Sequence, residues 1–349
     1  MTISPFDHPY LRRLLGDEEI AEQLSAQAEI SAMLEFERAL AEAQAEAGLI
    51  AVSASEAIVG VCATFAPVMD GLRTGTARDG VVVPELVKQL RKAVGGEAAE
   101  HVHWGATSQD AIDTGLMLRL KRVARHLVDG LGHIDETFQS LDERFGSRSL
   151  MAYTRMQPAL PITVSDRIRA WREPLRRTAH LLQQHKFPLQ FGGAVGTLDK
   201  MGDNAAAIRS SLAARLELAD EPQWQNQRGV IVEFGNLLSQ LTGSLGKFGQ
   251  DVALLAEVGK EIQLTGGGGS SAMAHKQNPV AAEVLVALAR FNAVQVGGLH
   301  QSLVHEQERS GSAWTLEWLI LPPMTAAAGA ALRLARVLGN DVRSLGVKP

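Results

Sequence analysis

Between Thr265 and Pro279 the chain places four glycines ahead of Ser270, Ser271, Met273, His275, Lys276 and Asn278. Four consecutive glycines cannot pack a core and lose much backbone entropy when ordered, so the spacing predicts a mobile loop. Pro279 then opens a long apolar-periodic segment, and proline suits the first turn of a helix. The hydroxyls, Lys276 and Asn278 therefore sit at a loop-to-helix junction, where free amides and a lysine favour anionic groups. Such an arm can act as a lid that completes a catalytic centre. Composition alone favours a plainer Gly-rich linker ahead of a helix.

Two further polar runs stand before long helical patterns. In His101-Val-His103-Trp104-Gly105-Ala106-Thr107-Ser108-Gln109-Asp110, Thr107 and Ser108 suit a helix N-cap, and Asp110 and Asp113 favour the helix dipole. The same hydroxyls and amides could hold a carboxylate, with His103 nearby. Tyr153-Thr154-Arg155-Met156-Gln157-Pro158 reads locally as a polar turn ended by proline. A late run, His305 to Trp318, carries Glu308, Arg309, Trp314 and Glu317; a charged, aromatic helix end is usually surface.

The elements that must position these runs are helical. Apolar residues from Leu116 to Phe145, and again from Ile231 to Ile262, recur every three or four positions, the seam of long helices packed nearly parallel. Helices are also expected over 18–48, from Pro84 to Gly95, and over 161–184, 279–306 and 322–340. No segment shows strand alternation. The fold class is thus all-α: a small N-terminal helical domain, 1–100, and a long-helix bundle, 101–349, with oligomerisation expected because such helices rarely cover their apolar surface alone.

Composition narrows the function. A net charge of −5 and a pI near 6.1 argue against nucleic acid or an anionic membrane as partner. The single cysteine, Cys62, excludes an intrachain disulfide framework and fits a reducing compartment. The N-terminal residues hold no export signal, and no apolar stretch reaches membrane-spanning length, so a soluble cytoplasmic protein is expected. His101 and His103 lack companions at metal spacing, and phosphate-loop and nucleophile-elbow motifs are missing.

The pattern Ser270-Ser271-x-Met273-x-x-Lys276-x-Asn278 resembles the signature of the fumarase/aspartase superfamily, departing at Ala274 where many relatives have proline. His103 to Asp110 is similar to that family's first motif, and Thr154 to Gln157 to its second, with Arg155 where lyases carry a histidine. Phe191 to Thr197 also looks like a glycine run that relatives carry beside the site. The resemblance runs from about residue 15 to 340. It implies a fumarase/aspartase-like helical fold, a polycarboxylate substrate, no cofactor and no metal. It also implies a homotetramer whose sites form where three subunits meet, and a third, C-terminal helical domain that is expected to be absent here. On the family's pattern Ser270 and Lys276 are catalytic, while His103, Thr107, Ser108, Thr154, Arg155, Gln157, Ser271, Met273, Asn278 and Arg309 bind substrate.

Arg155 then selects within the family. Arginine stays protonated and cannot shuttle a proton to a leaving amine, but it binds a carboxylate bidentately. A carboxylate adding to its own molecule's double bond has no proton to lose, so one acid suffices. Trp318, where lyases tend to have arginine, points the same way. Both favour the 3-carboxy-cis,cis-muconate cycloisomerase branch. A 3-sulfomuconate cycloisomerase shares these features; an adenylosuccinate- or argininosuccinate-type lyase fits them less well, and a non-enzymatic helical scaffold least.

Overall fold

The computed structural model describes residues 4–269, 273 and 277–347. The N-terminal part comprises α1 (Arg12–Leu15), α2 (Glu18–Gln23), α3 (Ala26–Glu46), α4 (Val52–Cys62), α5 (Met69–Asp79) and α6 (Val83–Val94). The helix expected over 18–48 is two helices. Ser25 breaks it, because its hydroxyl accepts the Ala28 N–H at 3.1 Å and so caps a new start.

The bundle is built from α7 (Ser108–Phe145), α8 (Val164–Gln184), α10 (Gly229–Val258), α11 (Val280–Gln301) and α12 (Gly311–Asp341), with α9 (Ala205–Leu216) flanking α3. The apolar seam of α7 from Leu120 to Phe145 is buried, as is that of α10 from Ile231 to Leu255. At its centre Phe248 meets Phe138 and Trp171, each with ring centroids 5.0 Å away. Trp171 Nε1 donates to Asp251 at 2.7 Å, which satisfies the one polar atom of that cluster. Helices α10 and α11 approach so closely at Gly249 that an added Cβ would lie 2.7 Å from the Ala282 carbonyl oxygen.

α12 begins eleven residues before the expected start, because Ser310 caps it by accepting the Ala313 N–H. Pro322 and Pro323 lie inside it. Each removes a backbone donor, and burial of Leu321 and Met324 on either side holds the helix through them. Likewise α8 starts at Val164, with Thr163 accepting the Asp166 N–H at 3.1 Å, and Pro161 lies upstream in extended chain.

The structure also contains short strands that the sequence pattern does not announce. β1 (Ser149–Thr154) and β2 (Gln157–Thr163) form an antiparallel hairpin. β3 (Ile262–Leu264) pairs with β6 (Val342–Leu345), and β4 (Gly268–Gly269) with β5 (Gln277–Asn278). Ile262, read as the end of the α10 seam, belongs to β3; Gly259 at φ 73° has already stopped the helix. These pairs are held by local turns and by tertiary contact, neither of which gives two-residue alternation.

Two helices correct the reading of apolar length. α11 and α12 are long and apolar enough to cross a membrane by length and composition alone. α12 is mostly buried inside the bundle, whereas α11 packs on α10 and α12 with much of its surface exposed, Val294 included.

Candidate functional site

The first polar run forms the entry to α7. Asp110, fully buried in the first turn, accepts the Thr107 N–H at 3.0 Å and closes the turn carrying Thr107 and Ser108. The same carboxylate accepts the Gly192 and Gly193 N–H groups, both at 2.9 Å, and the Gln190 amide at 3.1 Å. Burial raises its pKa to about 6, against the pull of these donors. Asp110 thus ties the Phe191-to-Thr197 glycine run against the Thr107–Ser108 turn. Gly193 adopts φ 69°, and a Cβ there would meet the Gly105 carbonyl oxygen at 3.1 Å, so only glycine allows this approach.

His103 lies beside this turn at φ 57°, with Nδ1 2.5 Å from Glu37 Oε1 on α3. Burial opposes its charge, but the Glu37 carboxylate outweighs burial and raises the pKa. One ring nitrogen is therefore committed to Glu37, which fixes the orientation of the other.

Behind the turn sits a charged network. Arg228 is fully buried and bidentate to Asp113 (2.5 and 3.1 Å) and to Glu317 (2.8 and 2.6 Å). Burial disfavours its charge, and the two carboxylates more than restore it. The surplus negative charge is met by Trp314 Nε1 on Asp113 Oδ1 at 3.1 Å and by Gln109 Nε2 on Asp113 Oδ2 at 3.0 Å. Gln109 also receives Arg309 Nε at 2.8 Å, and Arg309 reaches the Ala194 carbonyl at 3.2 Å. Trp318 leans on Trp314, ring centroids 4.9 Å apart. The late charged run is therefore part of this cluster, with Trp314 and Glu317 buried in it. His305 lies against it, its ring nitrogens without partners among the described residues and its pKa lowered, first by burial and then by Arg228.

The other candidates lie at the far end of the bundle. Arg155 (φ 48°) and Met156 (φ 65°) are the two loop residues between the Thr154–Gln157 pair of the hairpin, so the expected polar turn is a hairpin tip. Both central residues have positive φ, as a type I′ turn requires. Thr154, Arg155 and Gln157 are exposed. Asn278 pairs with Gly268 beside the Gly-rich segment, and Met273 is exposed. Ser270, Ser271 and Lys276 lie outside the described residues.

Separation between the two groups follows from helix length. α7 has 38 residues, about 57 Å at ~1.5 Å per residue, and joins Thr107 to the hairpin. α10 has 30, about 45 Å, and joins Arg228 to the segment leading to the glycines. Hairpin and Gly-rich segment are anchored together: Met151 N–H donates to Glu261 at 2.8 Å, and Thr265 N–H to the Asp341 carbonyl at 2.9 Å next to β6. One chain thus brings His103, Thr107, Ser108 and Arg309 together at one end and holds Thr154, Arg155, Gln157 and Asn278 at the other. Sequence reasoning missed Glu37, Gln190 and Arg228. Asp110 at the third helical position after Thr107 was the legible sign; Arg228 finds its partners 115 and 89 residues away, which no local pattern announces.

A bundle of long helices with the Thr107–Ser108 helix entry at one end and a Gly-rich segment at the other is the architecture of a helical lyase. The family model described as Lyase matches residues 17–298, and the chain belongs to this family, within the fumarase/aspartase superfamily. The chain is 36% identical over 348 residues to a 3-carboxy-cis,cis-muconate cycloisomerase of Pseudomonas putida, covering 97% of this chain and 80% of that one. A protein of the same name from Acinetobacter baylyi is 35% identical over 346 residues, 95% of this chain and 77% of that one. Among solved structures, the 3-carboxy-cis,cis-muconate lactonizing enzyme from Pseudomonas putida superposes with a TM-score of 0.89 at 34% identity, over 96% of this chain and 77% of that one.

Proposed function

We propose that this enzyme is a 3-carboxy-cis,cis-muconate cycloisomerase, closing its substrate to a carboxymuconolactone in protocatechuate catabolism. What carries the reading is the match, across nearly the whole chain, to relatives of that name. The residue chemistry agrees with it. Arg155 stands where an amine-releasing lyase needs a proton carrier, and a permanently charged guanidinium suits a substrate with several carboxylates. The indole of Trp318 leans on Trp314 beside the charged cluster and supplies no cation there.

In this mechanism one substrate carboxylate oxygen attacks the alkene carbon β to another carboxylate. The C–O bond forms as the π electrons move into the second carboxylate, which becomes the aci-carboxylate. Lys276, Asn278 and loop amides hold that charge. The Ser270 hydroxyl then delivers a proton to the α-carbon and is reprotonated from solvent. Thr107, Ser108, Thr154, Arg155 and Gln157 hold the remaining carboxylates.

The reading includes a homotetramer whose sites combine the two ends from different subunits. The distance between those ends within one chain supports this. So do the apolar residues exposed on the hairpin, Tyr153, Met156 and Leu160, and on α11, Val294. It also keeps the N-terminal helical domain, 1–100, apart from the bundle, 101–349, as units of organisation, and places the enzyme in the cytoplasm. Burial pushes the Cys62 thiol up to about 12, which leaves it an inert core residue with no part in the chemistry.

The deciding experiment mixes purified protein with 3-carboxy-cis,cis-muconate and follows loss of the conjugated-diene absorbance, with the product identified by mass and NMR. Rapid loss with a lactone product is expected. A stable diene, with turnover of 3-sulfomuconate or of a succinyl-amine substrate in its place, would overturn the assignment.

A further inference from the structure

A cavity of about 660 Å³ opens between the N-terminal helices and the first halves of α7 and α12. Leu24, Ile30, Met33, Leu72, Leu116 and Leu321 supply much of its wall. Its size falls in the range of small-molecule sites, and its lining is predominantly apolar. Two arginines belong to that lining: Arg73, exposed and paired with Asp70 at 2.8 Å, and Arg119, which is buried. Arg119 lies on the cavity face of α7, three residues after Leu116 and seven after Ile112, and is 6% exposed.

Arg119 is poorly satisfied. Its Nε donates to the Gly115 carbonyl at 3.3 Å, and Nη2 comes no closer than 3.9 Å to Glu29 Oε1. A guanidinium carries five N–H donors, so most of its capacity is unspent among the described residues. Burial disfavours its charge, Glu29 offsets this in part, and Arg122 adds to the cost. Arg228 shows what a satisfied buried arginine looks like in the same fold: two carboxylates, each held through paired hydrogen bonds. Arg119 has the burial without those partners. Glu29, its side chain more than a third exposed, is a loose counter-ion that another anion can displace.

We propose that this cavity binds a small organic monocarboxylate, its carboxylate on Arg119 and its hydrocarbon or aryl body against Ile30, Met33, Leu72 and Leu321. Arg119, the buried cation of the lining, sets the charge of the ligand, because a second carboxylate would meet only apolar wall or Arg73, which Asp70 already neutralises. The ligand class therefore differs from the polycarboxylate assigned to the Thr107–Ser108 entry, and the inference does not depend on that assignment. Glu317 and Trp318 form part of the same wall. An occupant touches the turn of α12 whose Glu317 clamps Arg228, and through Asp113 and Gln109 it is linked to Arg309.

Calorimetric titration with octanoate, and with 1-octanol as a neutral probe of matched length, tests the site. The wild-type protein should bind octanoate at least about tenfold more tightly than octanol, as a charge-assisted hydrogen bond to arginine implies. Arg119→Met should weaken octanoate about tenfold or more and leave octanol within about twofold. Thr76→Trp, which narrows the cavity from its half-buried wall and leaves Arg119 in place, should weaken both probes; it decides the matter should Arg119→Met fail to fold. Equal affinity for the two probes, octanoate binding unchanged in a folded variant, or no binding of either probe would overturn the proposal.

Discussion

The two ends of the bundle present their polar groups in opposite ways. At the Thr107 end three of the polar groups are backed by buried partners: Asp110 by three backbone N–H groups and Gln190, His103 by Glu37, Arg309 by Gln109. At the hairpin end Arg155 sits on an exposed two-residue turn, and the neighbouring backbone is a short ladder of glycines paired with Gln277 and Asn278. Buried networks fix geometry before substrate arrives and cost stability if broken. Exposed turns and glycines cost little to move, and they gain order only against something else. One end is therefore preorganised by its own chain, and the other is an exposed set of groups with little buried support.

That contrast can be broken at either end. The largest effect belongs to the proposed proton donor: Ser270→Ala should lower kcat by about 10²–10⁴-fold, the usual worth of a positioned acid, while equilibrium dialysis still detects bound substrate. Substantial retained turnover would refute the role of Ser270. On the buried side, Arg228→Met strands Asp113 and Glu317 and should destabilise the fold by about 3–5 kcal/mol in urea titrations. A loss below about 1 kcal/mol would mean that the network is not holding the α7 entry.

Arg155→Ala should leave that unfolding curve unchanged and raise KM by about 10–100-fold, the worth of a charge-assisted pair. Mixed with a Ser108→Ala chain under conditions that exchange subunits, it should regain part of the lost activity, because some sites then combine two intact halves. No recovery after demonstrated exchange would count against sites shared between chains.

The smallest effect is on pH. With a pKa of about 6, Asp110 takes up its proton as pH falls through 6, loses acceptor capacity for Thr107, Gly192 and Gly193, and loosens the substrate entry. kcat/KM should therefore fall severalfold between pH 7 and 5, and in Asp110→Asn it should be low and lack this step. Stability runs the other way: a carboxyl whose pKa is raised on folding contributes fully below about pH 4, and that contribution is lost as pH rises through 6.

Much of the bundle is legible in the amino-acid sequence. The α7 and α10 seams repeat every three or four residues for many turns, and that repetition leaves a helix no alternative face to bury. Short elements are not legible in this way. Pro161 reads as a helix start but lies in β2, and the strand that holds it is defined only by its partner β1. The site divides along the same line. Thr107, Ser108 and Asp110 form a local motif whose capping geometry is encoded within four residues, whereas Glu37 and Arg228 become functional only by being folded against it.

Residue type and short-range spacing are enough to define the family, the helical class, the motif residues and the departure at Arg155. Which of those residues meet is a matter of tertiary packing. A helix converts 38 positions of chain into a rigid separation of about 57 Å, so Thr107 and Arg155 lie at opposite ends of one subunit. Packing also sets one buried arginine among carboxylates and another in an apolar cavity. Burial and distance are properties of the packed chain, and they distinguish Arg228 from Arg119.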